Sequence, residues 1–252
     1  RISMCRFLGL PDEEAGALAE LTDHFFRLFA PLTDADVLED VNAGLAAFRD
    51  LIRRHRPQAP KDSFLGYLAE SEGAGLTEAQ IIDSAILIFA DGVENVATGA
   101  ATVLVVTQRL PAARVALRDT DGDAPAAVRE SLRLDSPAQI IPRIAREDTE
   151  VLGQRVKEGT PVFLALGSAN CDPDVFDEPD AFDLERNHAK VLTFGAGRHF
   201  CLGAGLAEDQ IRVLVWSALR EGLAVEVPPG GLRYRRRRGH RWLESLPFRI
   251  DG

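Results

Sequence analysis

The sequence has only three cysteines, Cys5, Cys171 and Cys201, and no two of them form a CxxC pair. That usage excludes a disulfide framework and a zinc ribbon, and it points to a reducing compartment. Basic charge is also in deficit: 29 Lys and Arg stand against 39 Asp and Glu, a net charge of −10. A chain this acidic is not expected to bind nucleic acid generally. The run RYRRRRGHR at 233–241 is a dense local exception, and it reads first as a solvated hairpin near the C-terminus. Long apolar runs are missing too, none approaching the ~20 residues of a membrane span. The apolar patch in RISMCRFLGLPDEE is too short and interrupted for a signal-peptide core. No membrane partner and a cytoplasmic location are therefore expected.

With 252 residues, 46% of them hydrophobic, the chain can bury a sizeable core. In the first two thirds the apolar residues recur at helical spacing. DEEAGALAELTDHFFRLFA and TDADVLEDVNAGLAAFRDLIRRH read as two helices separated by Pro31, and FLGYLAE as a short third. Thr77 and Gln80 make a capping box ahead of IIDSAILIFADGVENVATGAATVLVVTQRL, roughly eight turns of helix apolar on most faces. Within it, Asp91, Gly92, Glu94 and Asn95 are out of character, and read as a kink, an exposed stripe or a functional site. APAAVRESLRLD continues the helices. QIIPRIAR, TEVLGQRV and PVFLALGSAN then read as extended segments of small mixed sheets, DPDVFDEPDAFDLERN as an irregular loop, and GAGLAEDQIRVLVWSALREG as a last helix before short strands around PFRI. The expected fold is mainly α with small β-sheets, in a single domain over residues 1–252.

Cys201 lies in FGAGRHFCLG, between a glycine-rich run and the final helix. A lone thiol there can be a small buried hydrophobe, an accident of composition, a nucleophile or a metal ligand. The surroundings suit a thiolate: glycines let backbone N–H groups approach the sulfur, the positive end of a helix follows, and Phe194 can shield the sulfur from water.

Phe194, Gly197, His199, Cys201 and Gly203 resemble the haem-binding loop FxxGxxxCxG of the cytochromes P450. Chance would produce the four fixed residues about once in a thousand chains of this composition. Further matches support the resemblance. Glu130 and Arg133 in RESLR look like the family's ExxR ion pair, which braces the haem-side core; by spacing alone they would be a surface pair. Arg143 and His199 stand where the family places haem-propionate partners, with Gly195 and Gly203 beside the ligand loop. The segment SANCDPDVFDEPDAFDLERN is similar to the family's stretch before the cysteine loop, with Cys171 in place of the usual arginine. The order holds from about Leu8 to Ile250.

The resemblance implies a P450 fold lacking its N-terminal elements, since RFLGLPDEE resembles a segment from the middle of the family's chain. Three explanations stand open at this point: that half lies outside the given sequence, a separate chain supplies it, or the protein is a natural truncation with another role. It also implies haem b (iron protoporphyrin IX) with Cys201 as iron ligand, and a monooxygenase that uses O2, a small organic substrate of biosynthesis and electrons from a ferredoxin or flavoprotein reductase. Glu94 and Asn95 fall where the family has an acid and a threonine that relay protons to dioxygen. An amide can hold water but does not pass a proton through itself as a hydroxyl does. Two other readings follow from that departure: a P450-like accessory protein that binds and activates a partner enzyme such as a glycosyltransferase, and a haem-thiolate enzyme driven by peroxide.

Overall fold

The computed structural model describes residues 1–27, 35–70, 75–119, 122–237 and 239–250. Pro31 and Arg238 lie outside these. The described residues gather into two compact units, Arg1–Val96 and Ala97–Gly252.

The first unit is helical. α1 (Ile2–Leu8) ends at Gly9, whose φ of 85° is the left-handed geometry of a helix C-cap. Behind it come α2 (Ala15–Arg27), α3 (Ala35–His55), α4 (Phe64–Glu70) and the first half of α5 (Glu78–Arg109). The capping box at the head of α5 is formed in both directions: Gln80 N–H donates to Thr77 Oγ1 (3.3 Å) and Thr77 N–H to Gln80 Oε1 (2.8 Å). Apolar residues at helical spacing face inward, so that Leu8, Leu18, Phe48, Ile52, Leu65, Ile81 and Phe89 share one core. Phe48 and Phe89 meet edge to face at 5.9 Å. Gly66 sits in this packing because a Cβ there would run into the Pro60 carbonyl. Gly66→Ala is expected to destabilise the chain by about 1–3 kcal/mol, read from the denaturation midpoint, because backbone rather than a mobile side chain would have to give.

The second unit joins the rest of α5 to α6 (Pro111–Asp119), α7 (Ala124–Leu134) and α9 (Ala204–Arg220), with the short α8 (Leu166–Ala169) between. The helices α6, α7 and α9 pack on one another, and a Cβ on Gly99 would meet Ile211 Cδ1 at 2.5 Å, so glycine lets α9 close on α5. Among the described residues the strands form three two-stranded antiparallel sheets rather than mixed ones: β1 (Ile141–Ile144) with β4 (Pro161–Leu164), β2 (Thr149–Val151) with β3 (Gln154–Val156), and β5 (Leu223–Val225) with β6 (Phe248–Ile250). TEVLGQRV is thus a hairpin that turns at Leu152 and Gly153, both with positive φ. The end of PVFLALGSAN is the helix α8 instead of strand.

The α5 helix runs unbroken through Asp91–Asn95, so the polar patch is not a kink. At 32 residues and a mean hydropathy of 1.3, α5 is long and apolar enough to cross a bilayer, which corrects the expectation that no segment is. More than half of its apolar stretch is buried inside the protein, as in a core helix.

Candidate functional site

The cysteine loop is shaped by its glycines. Gly195 and Gly197 have φ of 73° and 67°, which side-chain-bearing residues rarely adopt. The turn they allow is tied by Gly195 N–H to Leu192 O (2.9 Å) and closed by Cys201 N–H to Phe194 O (2.9 Å). Phe194 and Cys201, seven apart in sequence, are thereby adjacent. Cys201 is exposed and outside any disulfide. It stands just ahead of α9, whose N-cap is Gly203, so unbonded N–H groups and the positive end of a 17-residue helix lie beyond the sulfur. Phe200 and Leu202 flank it, 56% and 88% exposed. His199 is exposed in the short turn Gly197–His199.

Arg143 projects from β1, where it pairs in register with Val162. Its side chain is exposed and donates to the Pro142 carbonyl (2.9 Å); among the described residues no carboxylate pairs with it. Arg143, His199 and Cys201 all belong to the second unit.

Beneath the surface lies a dense polar cluster. Glu130 and Arg133 make a two-pronged pair (2.8 and 2.9 Å), both fully buried, because the face of α7 that carries them also carries Ala127, Ser131 and Leu132 into the interior. Spacing alone suggested a surface pair; burial corrects that. Glu130 also receives Arg186 Nε (2.9 Å) and the Asp183 N–H (3.2 Å), and His188 Nε2 lies 3.2 Å from it. Burial pushes the Glu130 carboxyl up, but hydrogen bonds from His188, Arg133 and Arg186 outweigh it, and the pKa ends at about 2. Two further Arg133 donors go to the Asn170 and Ala181 carbonyls. Sequence reasoning passed over Arg186 and His188; the signal was an arginine and a histidine ending the acidic run DPDVFDEPDAFDLERNH.

Asn170 was missed as well. Its buried amide donates to Ser136 Oγ (2.9 Å) and Thr193 Oγ1 (3.1 Å) and accepts from Leu192 N–H (2.7 Å). The partners Leu192 and Thr193 immediately precede Phe194, so Asn170 ties the cysteine loop to the end of α7. Asn170→Ala is expected to cost about 2–4 kcal/mol, since several buried groups lose their partner at once at about 1–3 kcal/mol each with partial relaxation. Chemical denaturation checks it, and a loss below 1 kcal/mol would show that the loop is held otherwise.

Asp91, Glu94 and Asn95 belong to the first unit. Asn95 Nδ2 donates to Asp91 Oδ1 (3.4 Å) one turn back. Burial among protein atoms lifts the Asp91 carboxyl to about 6, although its side chain keeps contact with solvent.

The family model "Cytochrome P450" matches residues 124–231, which carry Glu130, Arg133, Arg143, Arg186 and Cys201. A "Biotin biosynthesis cytochrome P450" from Bacillus subtilis is 31% identical over 254 aligned positions, 98% of this chain and 64% of that protein. The chain belongs to the cytochrome P450 family. A second P450 relative, "20-oxo-5-O-mycaminosyltylactone 23-monooxygenase" from Streptomyces fradiae, is 33% identical over 86% of this chain and 51% of its own length. The crystal structure of P450BioI in complex with an acyl carrier protein ligated to hexadec-9Z-enoic acid superposes with a TM-score of 0.87 at 30% identity, covering 98% of this chain and 65% of that one. The fold is therefore the P450 fold, and the chain spans about two thirds or less of the relatives' lengths.

The residues present fit a haem. A soft thiol is exposed at a helix N-terminus between apolar side chains that suit a flat macrocycle, and Arg143 and His199 suit its acidic edge. A Cβ at Gly197 or Gly203 would meet nothing within 4 Å, so the P450 loop backbone is open to a flat ligand.

Proposed function

We propose that this chain is the larger part of a haem-thiolate monooxygenase acting on a small organic substrate of biosynthesis. The observation that carries the reading is Cys201, exposed at the head of α9 on a loop whose hydrogen bond to Phe194 fixes the sulfur's place. The bound haem b would supply cleavage of dioxygen and transfer of one oxygen atom to the substrate, with electrons from a ferredoxin or flavoprotein reductase.

The chain's own residues would do the rest. Cys201 holds the iron as thiolate, favoured by the helix dipole. Phe194 shields the sulfur from water, and Gly195 and Gly203 leave the backbone free to approach. Arg143 and His199 bind the carboxylate edge through charge-assisted hydrogen bonds. Glu94 and Asn95 hold distal water. Asp91 accepts from the Asn95 amide and titrates at about 6, so one turn from Asn95 its carboxyl takes up and releases a proton in the mildly acidic range.

Two assays test the reading. Pyridine haemochromogen analysis should give one haem b per chain after reconstitution. Product formed under ¹⁸O2 with a reductase should carry one labelled oxygen atom; label arriving only from peroxide would favour the peroxide-driven alternative. A chain without haem that instead stimulates a partner enzyme would favour the accessory reading.

A further inference from the structure

The hydrogen bonds around Asn170 run in one sense only. Leu192 N–H has a proton and no lone pair to offer, so the side-chain atom it meets at 2.7 Å is Asn170 Oδ1. That fixes the amide, whose NH2 group then faces two hydroxyls, Ser136 Oγ at 2.9 Å and Thr193 Oγ1 at 3.1 Å. Each hydroxyl has a single proton, and each directs it to the Leu132 carbonyl, at 2.8 and 3.1 Å. The approach of the two hydroxyls to each other, at 3.5 Å, is too long to compete. Both therefore meet Asn170 as acceptors, and the side chain at 170 must donate twice and accept once. Aspartate has the same shape but no proton to give. The amide has no recourse to water, because Asn170 is wholly buried, and Arg133 holds its backbone carbonyl at 2.8 Å.

The chain carries this arrangement to Cys201. Leu192 is held at both ends, its N–H by Asn170 and its carbonyl by Gly195 N–H (2.9 Å). Thr193 is pinned through Leu132 to the last turn of α7. Phe194 follows directly, and its carbonyl accepts from Cys201 N–H (2.9 Å). Past Cys201 the chain enters α9, which is fixed by the burial of Ala204, Ile211 and Val215. Helix packing thus sets the exit of the loop, and Asn170 sets its entry.

We propose that Asn170 is a positioning residue for the Cys201 thiolate: by donating to Ser136 and Thr193 and accepting from Leu192, its amide fixes the loop entry so that the sulfur stands where it can hold iron. A side chain of the wrong polarity leaves Leu192–Phe194 free to shift, and any shift passes through the Phe194 carbonyl to Cys201. Groups that orient a metal ligand in this way are commonly worth about 10–100-fold in affinity. That the thiolate holds haem iron rests on the haem-thiolate reading; that Asn170 sets the loop does not.

The test compares the full chain with Asn170→Asp, which keeps the shape, with Asn170→Ala, which removes the group, and with Leu117→Ala. The last hollows the core of the same unit at a wholly buried residue of α6 outside the network. Each protein is studied well below its own melting transition. After hemin reconstitution, reduction and exposure to carbon monoxide, the ratio of thiolate-ligated to otherwise ligated haem should fall roughly tenfold or more in both Asn170 variants. It should stay at the parent value in Leu117→Ala. Without haem, hydrogen exchange at the Cys201 amide, read by mass spectrometry, should be roughly tenfold faster in the Asn170 variants than in Leu117→Ala, because the bond to Phe194 opens more readily. Should Asn170→Ala fail to fold, Thr193→Val, which loses one hydroxyl and keeps the shape, should move both readouts in the same direction. Asn170→Asp at the parent ratio and exchange rate would show that shape suffices and would overturn the proposal. Equal changes in Leu117→Ala would overturn it too. A parent without thiolate-ligated haem whose Cys201 exchange still depends on Asn170 would defeat the haem-thiolate reading and leave the loop positioning standing; a parent-like thiolate band in every variant would defeat the positioning alone.

Discussion

Glu130→Ala is expected to lower the unfolding free energy by about 3–5 kcal/mol, the usual cost of removing one partner from a buried ion pair. Arg133 would be left wholly buried without its counter-ion, Arg186 would lose the same partner, and His188 a hydrogen-bond partner. For a chain of this size the melting temperature should fall by roughly 6–20 °C. Arg129→Ala is the control: it removes an exposed pair with Glu208 (3.1 Å) and should cost no more than about 1 kcal/mol. Equal effects of the two substitutions would mean that the cluster does not hold the unit together.

Acid should act through the same carboxylate. Glu130 has a folded pKa of about 2, below its ordinary 4.5. Its contribution is therefore full above about pH 4.5 and lost as pH falls toward 2, about 3 kcal/mol in all. Glu130→Gln removes this titration, so the variant should lose less stability than the parent between pH 5 and pH 3.

Cys201→Ala is the second large effect. Among the described residues Cys201 is the thiol exposed at the head of α9; Cys5 is buried and Cys171 half-buried elsewhere in the fold. The alanine keeps the loop's hydrogen bond to Phe194, which is made by backbone, and the fold should survive with stability changed by less than about 1 kcal/mol. Iron ligation by sulfur should be abolished outright. Loss of the thiolate signature with an unchanged melting curve separates ligation from folding.

Local signals were legible in the sequence and distant ones were not. The Thr77–Gln80 box, the length of α5 and the start of α9 are set by neighbours within a few residues, and periodicity finds them. The apolar run read as the long helix stops at Leu110, and α6 after it went unread; Pro111 suits the first turn of that helix as well as it breaks the one before. α1, only seven residues long, offered too short a pattern to count. In the candidate site, the ExxR spacing names Glu130 and Arg133, whereas Arg186 and His188 reach Glu130 across 56 and 58 residues. Chain folding alone brings such groups together. Asn170 was hidden for the same reason, its value lying in partners 22 to 34 residues away.

The most direct test of the account is the absorbance spectrum of the purified, hemin-reconstituted chain, reduced and exposed to carbon monoxide, beside Cys201→Ala. The account predicts the red-shifted Soret band of thiolate-ligated haem in the parent and its absence from the variant. A parent with no haem band, or a band that persists without Cys201, would contradict it.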